Sequence, residues 1–239
     1  MRQWWVGVVI WVFGVVLTFA VQPALAPDIE GRAQAARAAQ ASVVVKSSQD
    51  GEGRCGGTFV AAGAVLTAYH CLGNLLNGSS SAAVLVETAD GRSSRATLGQ
   101  YWVGWDLAIL VVDLPGRVAQ LAPDVAVGEA VWLVGAPAGE NFMVSKGVVS
   151  QVRVGAFVNE PKTVLIGTDQ QQILAVDALT WQGNSGGGLF NQDGQLVGVA
   201  VRILVVSWAS SKTPGEPLFR QATYGYAVGV DTIRKALGR

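Results

Sequence analysis

The apolar positions follow three regimes along the chain. From Trp4 to Val21, eighteen residues run without a charge and without a polar face. As a helix this stretch would reach ~27 Å, close to the ~30 Å of a hydrocarbon core, so residues 1–27 read as a segment carrying a transmembrane helix. A cleaved signal segment is the competing reading: Ala24-Leu25-Ala26 offers a small-residue cleavage site, but Pro27, rigid and without an N–H, follows it directly. Residues 28–42 come next, Ala-rich from Gly31 with Arg32, Gln34, Arg37 and Gln40 interspersed. Helix propensity there is high, yet a short isolated helix is marginal in water, and the stretch reads as a semi-flexible spacer. From Ser42 onward the pattern changes to short β-branched runs. Val43-Val44-Val45, Val84-Leu85-Val86 and Val197-Gly198-Val199-Ala200-Val201 are of this kind, and Asp90-Gly91 and Asp193-Gly194 are hairpin signals. The region 43–239 is therefore expected to be all-β. Asp113–Asp124, with Pro115, Gly116 and Pro123, is the best interior linker, and Ile233–Leu237 the best short closing helix. Val205–Tyr224, with two prolines, is long for a hairpin connection and reads as a loop bordering a cleft or as plain surface.

Composition narrows the function classes. The 17 basic and 17 acidic residues balance, and no basic run gives an electrostatic reason to expect nucleic acid. One histidine and two cysteines cannot build the usual zinc shells without several carboxylates, so no metal and no cofactor is expected.

The lone histidine is the most constraining residue. His70 lies in Thr67-Ala68-Tyr69-His70-Cys71, upstream of the glycine-flanked serine in Gly183-Asn184-Ser185-Gly186-Gly187. A serine hydroxyl is a poor nucleophile at neutral pH and needs a positioned base; if an imidazole activates Ser185, it is His70. The nucleophile elbow of α/β-hydrolases requires a histidine after the serine, and none follows. The subtilisin order places the acid before the histidine, whereas the best acid, Asp106 in Trp105-Asp106-Leu107-Ala108-Ile109-Leu110, lies between His70 and Ser185. The remaining order is His, Asp, Ser. Asp113 is the nearest competing acid, but it follows the apolar run and adjoins the linker.

Taken together, these three motifs resemble the signatures of the chymotrypsin/trypsin-like serine proteases. Asp177-Ala178, Gly135-Ala136-Pro137-Ala138-Gly139, Gly147-Val148-Val149-Ser150 and Gly225-Tyr226-Ala227-Val228 point to the HtrA branch, with the similarity spanning residues 43–235. The resemblance implies two six-stranded antiparallel β-barrels of chymotrypsin type, the first carrying His70 and Asp106 and the second Ser185, and a serine endopeptidase acting on polypeptides through an acyl-enzyme. It implies His70 as general base, Asp106 as the acceptor that holds its tautomer, Ser185 as nucleophile, and the N–H groups of Gly183 and Ser185 as the oxyanion hole. Leu179, six before the nucleophile, and Thr180 would line the substrate pocket. Cys55 and Cys71 would form the family's disulfide beside the histidine, which persists only in an oxidising compartment and would put the domain outside the cytoplasm on a single-pass anchor, or secreted if the leader is cleaved. Asn184 departs from trypsin, where an acid receives a new amino terminus on activation; HtrA proteases carry the same asparagine. No PDZ module is expected after the domain, and homo-oligomer formation, frequent among HtrA proteins, is demanded by no residue pattern. A binding or chaperone module on a dead protease scaffold is the alternative from another class.

Overall fold

In the computed structural model the described residues are 8–12, 15–19, 29–46, 54–73, 84–155, 170–208 and 219–239 of the 239. The chain divides into two units, Met1–Ala33 and Gln34–Arg239.

Within the first unit, β1 (Val8–Val12) and β2 (Val15–Phe19) pair antiparallel, where the sequence led us to expect a membrane helix. No helix among the described residues is long and apolar enough to cross a membrane. The valine and isoleucine that make this stretch apolar are also strand formers, so its composition suits either conformation. The Ala24–Pro27 cleavage signal lies outside the described residues.

The expected spacer is a helix. α1 covers Ile29–Ala41, and within the second unit Ala38 and Ala41 are buried in the hydrophobic core while Ser42 Oγ donates to Ala38 O at 2.8 Å. Small side chains let this end of the helix lie close against the barrel, and packing supplies the stability that an isolated short helix lacks.

Two closed six-stranded antiparallel barrels follow, as expected. The first runs β3 (Ser42–Lys46), β4 (Arg54–Ala61), β5 (Ala64–Ala68), β8 (Leu107–Val112), β7 (Ser93–Trp102), β6 (Val84–Thr88) in spatial order. Its closing pair is β3 with β6, where Val43 faces Thr88 and Val45 faces Val86. Alternation works as the pleat requires in β6: Val84, Val86 and Thr88 are buried and the residues between them are partly exposed. Val43, Val45, Phe59, Leu66 and Leu110 fill the interior. The Asp90-Gly91 hairpin signal is the turn between β6 and β7, closed by Gly91 N–H to Thr88 O at 2.9 Å.

The second barrel runs β10 (Met143–Val154), β11 (Gln172–Val176), β14 (Phe219–Gly229), β13 (Leu196–Trp208), β12 (Gly188–Phe190), β9 (Ala130–Gly135). Leu133, Leu174, Leu189 and Ala227 occupy its core. Much of Val205–Tyr224, read as a long loop, is strand: β13 and β14 pair as far as Trp208 with Phe219. β-branched and aromatic residues carry the ladder outward on both sides.

No strand lies between Val112 and Ala130, which contains the expected linker. It is strapped to both barrels, by Ala119 N–H to Phe59 O at 2.8 Å and by a two-way bond of Leu121's neighbours with Leu196. α2 (Val230–Leu237) closes the chain, three residues longer at its start than the sequence suggested, with Ile233 and Ala236 buried.

Candidate active site

Each motif sits where a regular element ends. β5 stops at Ala68, and His70 occupies the 3-10 turn Tyr69–Leu72 that follows. Asp106 links the turn Val103–Trp105 to the start of β8 and has φ 53, ψ 40, a left-handed conformation that aspartate tolerates better than most residues. Because β5 and β8 are paired up to Ala68 with Leu107, the residues just beyond that rung meet. Tyr69 N–H donates to Asp106 O at 3.0 Å and His70 N–H to Asp106 Oδ1 at 2.9 Å. The second carboxylate oxygen, Oδ2, lies 2.7 Å from His70 Nδ1. An ionised carboxylate accepts only, so this contact puts the ring proton on Nδ1 and leaves the Nε2 lone pair outward. The His70 side chain is 46% exposed, that of Asp106 only 13%. Solvent therefore reaches the imidazole while the acid is shielded.

Ser185 comes from the other barrel, in the turn before β12. Its carbonyl accepts from Gly56 N–H of β4 at 2.7 Å and lies 3.7 Å from Cys71 Sγ, the residue after His70. Gly186 N–H donates to Ala200 O at 2.6 Å, and Ala200 N–H returns a bond to Gly187 O at 2.9 Å. This approach of the barrels needs glycine: a Cβ on Gly56 would sit 2.5 Å from Gly187 Cα. Cys55 and Cys71 are joined by a disulfide that ties β4 to the histidine turn. Neither His70 Nε2 nor Ser185 Oγ makes a hydrogen bond among the described residues.

The N–H groups of Gly183 and Ser185 donate no bond among the described residues. Gly183 has φ +99, and a Cβ there would lie 2.1 Å from Ala136 O, so only glycine fits. The carbonyls on either side of its N–H are held from behind, by Ala138 N–H to Gln182 O at 3.1 Å and by Ala136 N–H to Gly183 O at 3.2 Å.

The two residues expected to share the substrate pocket diverge. Leu179 is 70% exposed and lines a cavity of about 280 Å³ with Pro137, Met143, Val144 and Trp181. Thr180 turns the other way, 5% exposed, with its side chain against Gly225 of β14. The Thr180 hydroxyl donates back to Ala178 O at 2.8 Å, a local bond that holds this side chain inward and that spacing from the serine did not reveal. Asn184 is buried and donates to Leu179 O at 3.4 Å, a structural anchor for the turn. Asp177 serves similarly: its Oδ1 accepts from Val148 N–H at 2.6 Å.

Sequence reasoning missed two cations. Burial pulls the guanidinium of Arg202, on β13, below its ordinary value, and the Asp106 carboxylate opposes that shift. Arg54, at the start of β4, reaches across to the loop after β9. Neither belongs to a motif, and only the approach of the two barrels brings them near the site. Among the described residues no group of three His, Cys, Asp or Glu could hold a metal ion.

Comparison with known proteins bears on the fold and the family. The model of the trypsin-like peptidase domain matches residues 55–199. Protease Do-like 1, chloroplastic, from Arabidopsis thaliana is 28% identical over 176 residues, 72% of this chain and 35% of that protein. A probable periplasmic serine endoprotease DegP-like from Halomonas elongata is 32% identical over 127 residues, 52% of this chain and 25% of that protein. The match thus spans about a third or less of these relatives' length. Among solved structures, the serine endoprotease from Yersinia pestis superposes with TM-score 0.65 at 26% identity, covering 89% of this chain and 66% of that one. Rv3671c from M. tuberculosis gives TM-score 0.65 at 22% identity, covering 91% and 96%, a likeness of fold. With a domain match over more than half its length and both barrels in place, this chain belongs to the trypsin-like peptidase family, with HtrA-type proteases among its relatives.

Proposed function

We propose that the protein is a serine endopeptidase of HtrA type that cleaves polypeptides through His70, Asp106 and Ser185. The observation that carries the reading is the 2.7 Å contact of His70 Nδ1 with Asp106 Oδ2, with the Ser185 turn docked on the neighbouring residue Cys71. Ser185 Oγ attacks the scissile carbonyl carbon as its proton passes to His70 Nε2. The resulting oxyanion accepts from the N–H groups of Gly183 and Ser185. Collapse expels the amine, which takes the proton from His70 and leaves an ester on Ser185. Water then attacks that ester as His70 takes a proton, and collapse returns this proton to Ser185 Oγ as the acid product departs. A fluorophosphonate probe should label Ser185 in the wild-type chain, and casein should be cleaved. Absence of both would leave a binding module on a protease scaffold.

Specificity follows from what is uncharged. The cavity that Leu179 lines with Pro137, Met143, Val144 and Trp181 is largely apolar, and its one carboxylate, Glu140, is exposed to solvent, so a substrate lysine or arginine gains little by pairing there. Small or medium aliphatic side chains should precede the cut, and the substrate backbone should add as a strand along the cleft. Cleavage-site profiling on a proteome-derived peptide library checks this; enrichment of arginine or lysine before the cut would contradict it.

Residues 4–21 anchor the protein, with the disulfide-bearing domain on the extracytoplasmic side. In lipid a two-stranded unit leaves unpaired edges, whereas a helix satisfies all its backbone groups internally, so the bilayer favours the helical form of this stretch. The full chain should stay with the membrane fraction through high-salt washing and leave it only with detergent, and protease added to intact cells should reach the domain. A freely soluble full-length chain would refute the anchor.

A further inference from the structure

The Gly183 N–H owes its direction to a loop of the same barrel, and that loop is tied to the opposite barrel through Arg54, with a second bond from Asn141 to Glu87. A trans peptide is planar, with its C=O and N–H pointing opposite ways. Ala138 N–H donates to Gln182 O at 3.1 Å, so the Gly183 N–H of that same peptide faces away from the Pro137–Gly139 loop. Ala138 reaches this position in a conformation that its side chain disfavours, φ 52 and ψ 24. Such a residue persists only when its surroundings hold it. Glu140 N–H to Pro137 O at 2.9 Å closes the loop locally. The remaining support comes from Arg54 of the first barrel, whose Nη1 donates to Gly139 O at 2.5 Å and to Asn141 Oδ1 at 2.8 Å. Asn141 Nδ2 in turn donates to Glu87 Oε1 at 3.3 Å, and Glu87 Oε2 pairs with Lys46 Nζ at 2.5 Å.

We infer that Arg54 is a positioning residue for the oxyanion hole: by clamping Gly139 and Asn141 it holds Ala138 left-handed, and Ala138 N–H aims the Gln182–Gly183 peptide. The inference rests on the peptidase reading above. It also gives the start of β4 a common purpose. Arg54 supports the oxyanion turn, Cys55 is bonded to Cys71 beside His70, and Gly56 holds the Ser185 carbonyl. Arg54 and Gly56 thus register the two barrels where the reaction needs both, while the Cys55 disulfide fixes the His70 turn within the first.

The test compares wild type, Arg54→Ala and Arg54→Lys as active-site-titrated full chains, measuring peptide kcat and KM and the affinity of a peptidyl boronate whose tetrahedral adduct uses the oxyanion donors. Losing an oxyanion donor outright costs about 10²–10³ in kcat, so misaiming one should cost about tenfold or more. The expected result is that loss in Arg54→Ala, with KM within about twofold, a parallel loss of boronate affinity, and partial recovery in Arg54→Lys, which keeps the charge on a shorter reach. Ala138→Gly in the Arg54→Ala background should also regain turnover, since glycine adopts the left-handed conformation without support. If Arg54→Ala does not fold, Asn141→Ala is measured in the same way. Wild-type kcat and boronate affinity in the folded variant would overturn the clamp alone. A double variant no faster than Arg54→Ala would overturn the route through Ala138. A wild-type chain that neither turns over peptide nor binds boronate would overturn the peptidase reading and the clamp with it.

Discussion

Replacing Ser185 with alanine is expected to lower peptide turnover by about 10⁶-fold, because the nucleophile is removed while the donors around it stay. The turn that carries it is held by backbone bonds, from Gly56, Gly186 and Ala200, and none of these uses the serine side chain. The variant should therefore keep the wild-type melting temperature and still bind peptide. Residual turnover above the uncatalysed rate would come from the Gly183 and Ser185 N–H groups, which the substitution leaves in place. Steady-state cleavage of a peptide, with the fluorophosphonate label as control, decides the matter: a variant as fast as wild type would remove Ser185 from the mechanism.

The second large effect is expected at Asp106. In Asp106→Asn the side chain keeps its size, but an amide facing His70 Nδ1 can present N–H₂ where the carboxylate presented an acceptor. The imidazole then holds its proton on Nε2, where the lone pair is needed, and turnover should fall by about 10⁴-fold. The His70 N–H bond to Oδ1, 2.9 Å in the wild type, gives the asparagine oxygen an acceptor role that reinforces the wrong orientation. Ring-nitrogen NMR of His70, the chain's only histidine, would show the tautomer directly. An unchanged rate would mean that another acid orients the ring, and Asp113, the nearest competitor in sequence, would be tested next.

Much of this site could be read in the sequence because each of its motifs is a local instruction to the backbone. Gly183 and Gly186, at φ +99 and +78, specify turns that other residues resist. The order His70, Asp106, Ser185 with a single histidine excluded the competing arrangements, and the β-branched runs with their Asp-Gly turns marked both barrels as all-β. These signals survive in one dimension because the constraint and the residue that satisfies it lie within a few positions of each other.

What the tertiary structure decided involves partners far apart in the chain. The Ala-rich stretch reads as a spacer because a short helix is marginal alone; burial of Ala38 and Ala41 against the core turns it into α1. Leu179 and Thr180 are adjacent in the sequence, yet one lines an open cavity and the other packs on Gly225, held by the bond of its hydroxyl to Ala178 O. Arg54 meets Gly139 across 85 positions and Asp106 meets His70 across 36. The second pair was legible because both ends lie in motifs. The first was not, because an arginine at the start of a strand looks like any solvated charge until barrel closure brings the opposite loop within a hydrogen bond of it.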